Sequence, residues 1–307
     1  MSEIDLTTKI GNLALKNPII LASGTAGYGY ELEKYINFNE IGGFVSKGIY
    51  FDPRKGNDSP RIYETPCGML NAIGLQGIGV KRFRDEIIPF WEKYDTVFGV
   101  NVAGETEDEY VKVVEYLERE KRVDFFEINL SCPNVHEGGK SPSWDSQKTF
   151  SIIKEIKKIS KKHIMAKLSP NVTYIEEIAK AAEEAGADSI SLVNTFVGMA
   201  VDIKTKKPQI KNVFGGVSGP AIKPMALALV FKVFKSVKIP IVGMGGISSA
   251  GDILEFIISG ASAIEIGTST IVDPRASLKM LNQLKDLMRA LNHKNIKDLI
   301  GSIITGG

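Results

Sequence analysis

Residues 174–192 read YIEEIAKAAEEAGADSISL. A helical segment runs up to Gly186, the residue type that most easily takes the left-handed turn ending a helix, and a strand-like run follows at once. Helix feeding directly into strand is the repeating step of a parallel sheet, because parallel neighbours need a crossover between them. The same step recurs through almost the whole chain. Strand-like runs fall at 19–23 (IILAS), 44–47 (FVSK), 96–102 (TVFGVNV) and 125–130 (FFEINL), then at 164–168 (IMAKL), 189–194 (SISLVN), 239–244 (IPIVGM) and 263–267 (AIEIG). Helix-like segments lie between them. In EDEYVKVVEYLERE (107–120), Tyr110, Val113, Val114 and Leu117 recur at helical spacing with charges opposite, giving one face toward a sheet.

Eight such pairs in about 250 residues predict a closed (β/α)8 TIM barrel rather than an open doubly wound sheet. The preceding segments IDLTTK and LALKN, around Gly11 and Asn12, read as a hairpin covering the barrel's bottom. No linker, low-complexity segment or short-period repeat interrupts the pattern, so residues 1–307 read as a single domain. Two connections, 50–79 and 196–222, are too long for simple turns; at the C-terminal face of a barrel such loops are expected to lie over an active site.

Composition narrows the function classes. With 307 residues, 43% of them hydrophobic, the chain can bury a large core. Its 38 basic and 36 acidic side chains leave a formal charge of +2, which argues against nucleic acid or a membrane surface as partner. The opening MSEIDLTTKIGNLALKNP lacks the basic and long apolar regions of a secretory signal, and no later run approaches the roughly 20 apolar residues of a membrane span, so a cytoplasmic protein is expected. Two cysteines, Cys67 and Cys132, are too few for a four-thiolate cluster or a Cys-rich zinc site, and a reducing compartment argues against their pairing. Cys67 reads as a passive thiol and His136 as a solvated loop residue. His163 and His293 have no ligand partners at usable spacing, so no metal is expected.

In such a barrel chemistry sits where strands end. Those ends carry Ser23, Lys47, Asn101, Asn129, Lys167, Asn194, Gly245 with Gly246, and Gly267 with Thr268. One polar residue at a loop start needs no ligand, but two lysines and three amides converging on one mouth are costly to desolvate without one. The last two strands end in GMGGIS and EIGTS, turns whose backbone N–H groups can approach an anion, and Gly219 in SGP adds another close approach. A phosphate there and a polar ring at the centre suit a mononucleotide cofactor, with flavin mononucleotide (FMN) the natural candidate. SGTAGYG after the first strand lacks the G-x-G-x-x-G spacing of a dinucleotide site. Lys167 is placed by strand order to face the flavin edge where negative charge appears on reduction; a salt bridge within the barrel is the plainer alternative.

NLSCPNV (129–135), GMLNAIGLQG (68–77), SKG (46–48), LVNT (192–195) and GMGGI (243–247) closely resemble the class 1 dihydroorotate dehydrogenases, essentially end to end. A cysteine at the motif's catalytic position separates class 1 from the membrane-bound class 2, which uses serine. HEGG and NAIGLQ resemble the 1B subgroup, the catalytic subunit of an NAD-linked enzyme, more than the fumarate-using 1A. The sequence departs from the pattern at Cys67 and at Gly77–Ile78.

The resemblance implies a barrel that binds one FMN and oxidises dihydroorotate to orotate in pyrimidine biosynthesis. It carries FMN contacts onto Ser23, Lys47, Gly48, Asn101, Asn129, Lys167, Val193, Gly219, Gly245, Gly246, Gly267 and Thr268. Substrate contacts fall on Lys47, Asn71, Ala72, Ile73, Gly74, Leu75, Asn129, Asn134, Asn194 and Thr195. Cys132 is the expected general base for the proton on C5, and a free thiol's pKa of about 8.5 makes activity rise toward alkaline pH. Amides suit a ring edged with N–H and C=O groups, and the Lys47 ammonium suits its carboxylate. The 1B reading adds a partner subunit bearing FAD and a 2Fe-2S centre, which reduces NAD, in a heterotetramer built on a homodimer of this chain. Alternatives are the 1A enzyme, a related flavin barrel acting on another pyrimidine, and a catalytically inert barrel that binds a phosphorylated ligand.

Overall fold

The structure, a computed structural model, describes residues 4–131 and 145–306. Among these, eight parallel strands close into a barrel: β1 (Ile19–Leu21), β2 (Gly43–Val45), β3 (Val97–Val102), β4 (Phe125–Asn129), β5 (His163–Lys167), β6 (Ser189–Leu192), β7 (Ile241–Met244) and β8 (Ala263–Ile266). Neighbours in the chain are neighbours in space all the way round, and β8 closes on β1 with Ile264 opposite Ile19. Each strand falls on one of the expected runs. Most runs overshoot at the C-terminal end, because their last residues leave the ladder to form the mouth.

Crossover helices at Glu107–Leu117, Ser146–Ile159, Ile175–Glu184, Lys223–Phe234 and Ala250–Ile258 follow β3 to β7. The helix at Ile175–Glu184 ends as expected, with Gly186 at φ +97°. The first unit departs from the pattern. Between β1 and β2 the described backbone makes turns and one short 3-10 segment, Phe38–Glu40, and no regular α-helix. Gly24, Gly27 and Gly29 all take positive φ, which breaks a helix before it can propagate. An aromatic cluster holds the segment instead: Phe38 packs edge-on against Phe44 and Trp91, at 5.8 and 4.7 Å between ring centres.

Strand residues two apart share a face, and this alternation layers the barrel interior. Near one end Ile20, Val45, Phe125, Met165, Val242 and Ala263 pack together with Ile10 and Leu15 of the N-terminal hairpin. Thr8–Ile10 pairs antiparallel with Leu13–Leu15, closing this end as expected. Two residues further along the strands the layer is polar and equally buried: Glu127, Lys167 and Glu265, with Asn101 and Ser191 beside them.

The two long connections are not loops. Ile62–Thr65 and Gly68–Asn71 form a hairpin, Gly215–Ser218 pairs with its second strand, and Phe196–Gly198 pairs outside that, making a four-stranded antiparallel sheet. Each segment alone would leave backbone groups without partners, and pairing across about 145 residues of sequence satisfies them.

At the closed end His163 Nδ1 lies 2.9 Å from Asn12 Oδ1 and Nε2 lies 2.7 Å from Ser189 Oγ. Burial pushes this imidazole down to about 4. Because an unfolded histidine titrates near 6.5, the fold's advantage is complete above that pH and is lost as pH falls toward 4, by up to about 3 kcal/mol. Urea unfolding midpoints are expected to drop steeply between pH 7 and pH 4.5, and less steeply in His163→Gln; equal slopes in the two proteins contradict this.

Candidate functional site

A cavity of about 420 Å³ opens at the C-terminal ends of the strands. The antiparallel sheet contributes its wall through Ile62, Met69, Asn71, Gly216 and Ser218. Ser23 from the end of β1, Lys47 and Gly48 from β2, Asn101 from β3 and Asn129 from β4 all line it. So do Lys167 from β5, Val193, Asn194 and Thr195 after β6, Gly245 and Gly246 after β7, and Gly267 and Thr268 after β8. Gly219 and the stretch Asn71, Ala72, Ile73, Gly74 and Leu75 complete it. Residues scattered over 246 positions of sequence are thus brought to one mouth. Cys132 and Asn134, with His136, lie outside the described residues. Cys67 is exposed.

The floor is one directed chain of hydrogen bonds. Asn194 Nδ2 donates to Ser131 Oγ, and Ser131 Oγ donates to Asn129 Oδ1 at 2.7 Å. Asn129 Nδ2 donates to Asn101 Oδ1 at 3.2 Å, and Asn101 Nδ2 donates to Glu127 Oε2 at 2.6 Å. Every donor points toward Glu127, a buried acceptor with no hydrogen of its own when ionised. Glu127 also accepts from Ser191 Oγ at 2.8 Å and from Lys167 Nζ at 3.2 Å. The amides are therefore not free to flip: each carbonyl oxygen is already committed within the chain, and among the described residues one N–H of each Asn101 and Asn129 amide has no partner.

Charge reinforces the arrangement. Burial alone would push the Glu127 carboxyl up, but the Lys167 ammonium and the hydrogen bonds outweigh it and hold Glu127 below the usual carboxylate range. Burial would likewise deprotonate Lys167, and its two carboxylate neighbours, Glu127 and Glu265, instead raise it. Both readings of Lys167 hold at once: it lines the cavity and it is ion-paired. Lys47 is different. It is half-buried and forms no salt bridge among the described residues, and burial together with the nearby Arg61 lowers its pKa.

At the far side, Gly245 and Gly246 take φ of +118° and +80°, a conformation other residues rarely adopt. A Cβ on Gly246 would stand 2.7 Å from the Lys223 backbone nitrogen, so the turn admits no side chain and its backbone faces the cavity bare. The helix that follows begins only at Ala250, and its start is already occupied by a capping box in which Ser249 and Asp252 satisfy each other's backbone N–H groups. Any anion here meets the glycine turn rather than the helix terminus. Thr268 Oγ1 donates to Ser218 Oγ at 2.8 Å, joining the β8 end to the covering sheet.

Lining or supporting residues that the sequence reading did not assign include Glu127, Glu265 and Arg61. Glu127 and Glu265 were legible as charges inside otherwise apolar parallel strands, two residues before Asn129 and Gly267 and hence on the same inward face. Ser131, next to Cys132 in the sequence, joins Asn194 to Asn129 in the chain. Arg61 reaches the cavity from the covering hairpin, held by Gln76 Oε1 at 2.7 Å and the Asn57 carbonyl at 3.2 Å, and no local pattern marks it.

Among the described residues no helix is long and apolar enough to cross a membrane. A family model for dihydroorotate dehydrogenase matches residues 5–288. The chain is 47% identical over 300 residues to the dihydroorotate dehydrogenase B (NAD(+)) catalytic subunit of Thermoanaerobacter pseudethanolicus, covering 98% of this chain and 99% of that one. It is 45% identical over 299 residues to the protein of the same name from Parabacteroides distasonis, covering 97% and 98%. In fold it is similar to the crystal structure of DHODH from Eimeria tenella in complex with ferulenol, with a TM-score of 0.81 at 23% identity, over 97% of this chain and 88% of that one. With the barrel, the polar mouth and a full-length match in agreement, the chain belongs to the dihydroorotate dehydrogenase family.

Proposed function

We propose that this chain is the FMN-binding catalytic subunit of an NAD-linked dihydroorotate dehydrogenase of pyrimidine biosynthesis, acting in the cytoplasm. The observation that carries the reading is the convergence of Lys47, Asn71, Asn101, Asn129 and Asn194 on one cavity in a chain matched end to end by NAD-linked catalytic subunits. The residues present fit FMN: a bare glycine turn at one side suits its phosphate, and a buried ammonium at the floor suits a group that gains negative charge. Residues 1–307 would act as one FMN-binding domain.

In this reading Ser23, Lys47, Gly48, Asn101, Asn129, Lys167 and Val193 hold the flavin, while Gly219, Gly245, Gly246, Gly267 and Thr268 hold its phosphate end. When bound, FMN supplies the acceptor for the hydride on C6 of dihydroorotate. Cys132 removes the proton from C5. Lys47, which has no carboxylate in salt-bridge contact among the described residues, answers the substrate carboxylate. The remaining N–H groups of Asn101 and Asn129, without a partner among the described residues, present donors of fixed orientation to a flat ring, and Asn71, Asn134 and Asn194 read its remaining edges. The stretch from Ala72 to Leu75 and Thr195 closes over it. A partner subunit bearing FAD and a 2Fe-2S centre passes the electrons to NAD, two copies of each chain forming the heterotetramer.

Cys132→Ala should keep the flavin bound and slow its anaerobic reduction by dihydroorotate by about 10²- to 10⁴-fold, the usual contribution of a positioned base; reduction at the parent rate removes Cys132 from the role. Lys47→Met should raise the KM for dihydroorotate by about 10- to 100-fold, as loss of one hydrogen bond to a charged group predicts. Because Lys47 titrates below an ordinary lysine, kcat/KM in the parent should rise as the thiol ionises and fall again at high pH, and the alkaline limb should vanish in Lys47→Met. Co-purification of an iron–sulfur flavoprotein that supports NAD reduction separates this assignment from a self-sufficient enzyme that reduces fumarate alone.

A further inference from the structure

At the floor of the cavity, lined by Lys167 and Glu265, two carboxylates share one ammonium. The side chains of Glu127 and Glu265 are both fully buried, and Lys167 Nζ lies 3.2 Å from the first and 3.5 Å from the second. Two buried anions against one cation would leave charge uncompensated in a medium that solvates it poorly, so one of the two must be neutral. The donors decide which. Glu127 accepts from Asn101, Ser191 and Lys167, using both oxygens. Glu265 receives only the long contact from Lys167, and its Oε1 has no partner among the described residues. An oxygen with no donor to accept from is satisfied when it carries the hydrogen itself, and the acceptor beside it is Glu127.

We propose that Glu265 is a positioning residue that holds a proton at neutral pH and donates it to Glu127, leaving the Glu127–Lys167–Glu265 triplet without net charge and Lys167 facing the cavity as a fixed cation. The groups facing Glu265 are Glu127 from β4 and Lys167 from β5, and titration runs the same way: burial first, then the Glu127 charge, push Glu265 well above the usual range. The inference deepens the flavin assignment and rests on it only for what the cation answers. A neutral Glu265 adds no repulsion beneath a cofactor that becomes more negative on reduction, whereas an ionised one opposes it.

Infrared spectra of the holoprotein at neutral pH, in water and in heavy water, test the proton directly. The carbonyl stretch of a protonated carboxylic acid is expected, shifted on deuteration, and missing in both Glu265→Gln and Glu265→Met; either variant suffices to assign it. The flavin midpoint potential of Glu265→Gln, measured against a reference dye, is expected to equal that of the parent. An absent band, a band surviving both substitutions, or a potential that rises in Glu265→Gln because a negative charge has been removed would each overturn the proposal. The infrared signature requires no bound flavin, so a colourless protein refutes the FMN assignment while the Glu265 proton is still scored on its own.

Discussion

The buried carboxylate of Glu127 is the constraint on which the mouth of this barrel depends. An acceptor-only group in the interior demands donors, and the structure supplies three from three different strands: Asn101 on β3, Lys167 on β5 and Ser191 on β6. Satisfying Glu127 therefore fixes the direction of everything behind it. Asn101 must turn its nitrogen inward and its oxygen toward Asn129, which must then present its own oxygen to Ser131. A set of amides that would be orientationally ambiguous by themselves becomes a site with a defined pattern of donors. The anchor touches nothing that reacts in the proposed scheme, yet it selects one hydrogen-bonding state from several of similar packing.

The layering of the interior separates stability from chemistry. Toward the closed end the strands contribute Phe125, Met165 and Val242 to a dry layer under the N-terminal hairpin. One step of the pleat further, the same strands contribute Glu127 and Lys167. A two-residue period thus places a hydrophobic plug directly beneath an ionic one, so the charges sit on a rigid support and are screened from water on that side. This arrangement lets a lysine remain charged while almost fully buried.

Much of this was legible in the sequence, for identifiable reasons. The barrel was, because eight short apolar runs alternate with helical segments that carry clear faces, as with Val113 and Val114. The membership of the cavity was, because strand ends in such a barrel must converge. What lay beyond local pattern was pairing between distant segments. Nothing in SPRIYETPCGMLN or in FGGVS announces that Leu70 will sit opposite Val217, so those stretches read as loops. The missing first helix was hidden for the opposite reason: the glycines at 24, 27 and 29 were visible, but the aromatic packing that replaces a helix there involves Trp91, far along the chain. Glu265 went unremarked because a charge in a buried strand gains its meaning only from the partners it meets.

The covering sheet also has a consequence for how this architecture can vary. Its strands come as two pairs, Ile62–Thr65 with Gly68–Asn71 from the insertion after β2 and Phe196–Gly198 with Gly215–Ser218 from the insertion after β6, joined where Gly68–Asn71 meets Gly215–Ser218. Neither insertion is a self-contained module. Grafting one onto another barrel would carry over a raw β-edge with nothing to zip against, and deleting one would leave the inner strand of the other without its neighbour on that side. The roof of the cavity is inherited as a matched pair, and the two excursions of the chain are bound to change length and register in concert.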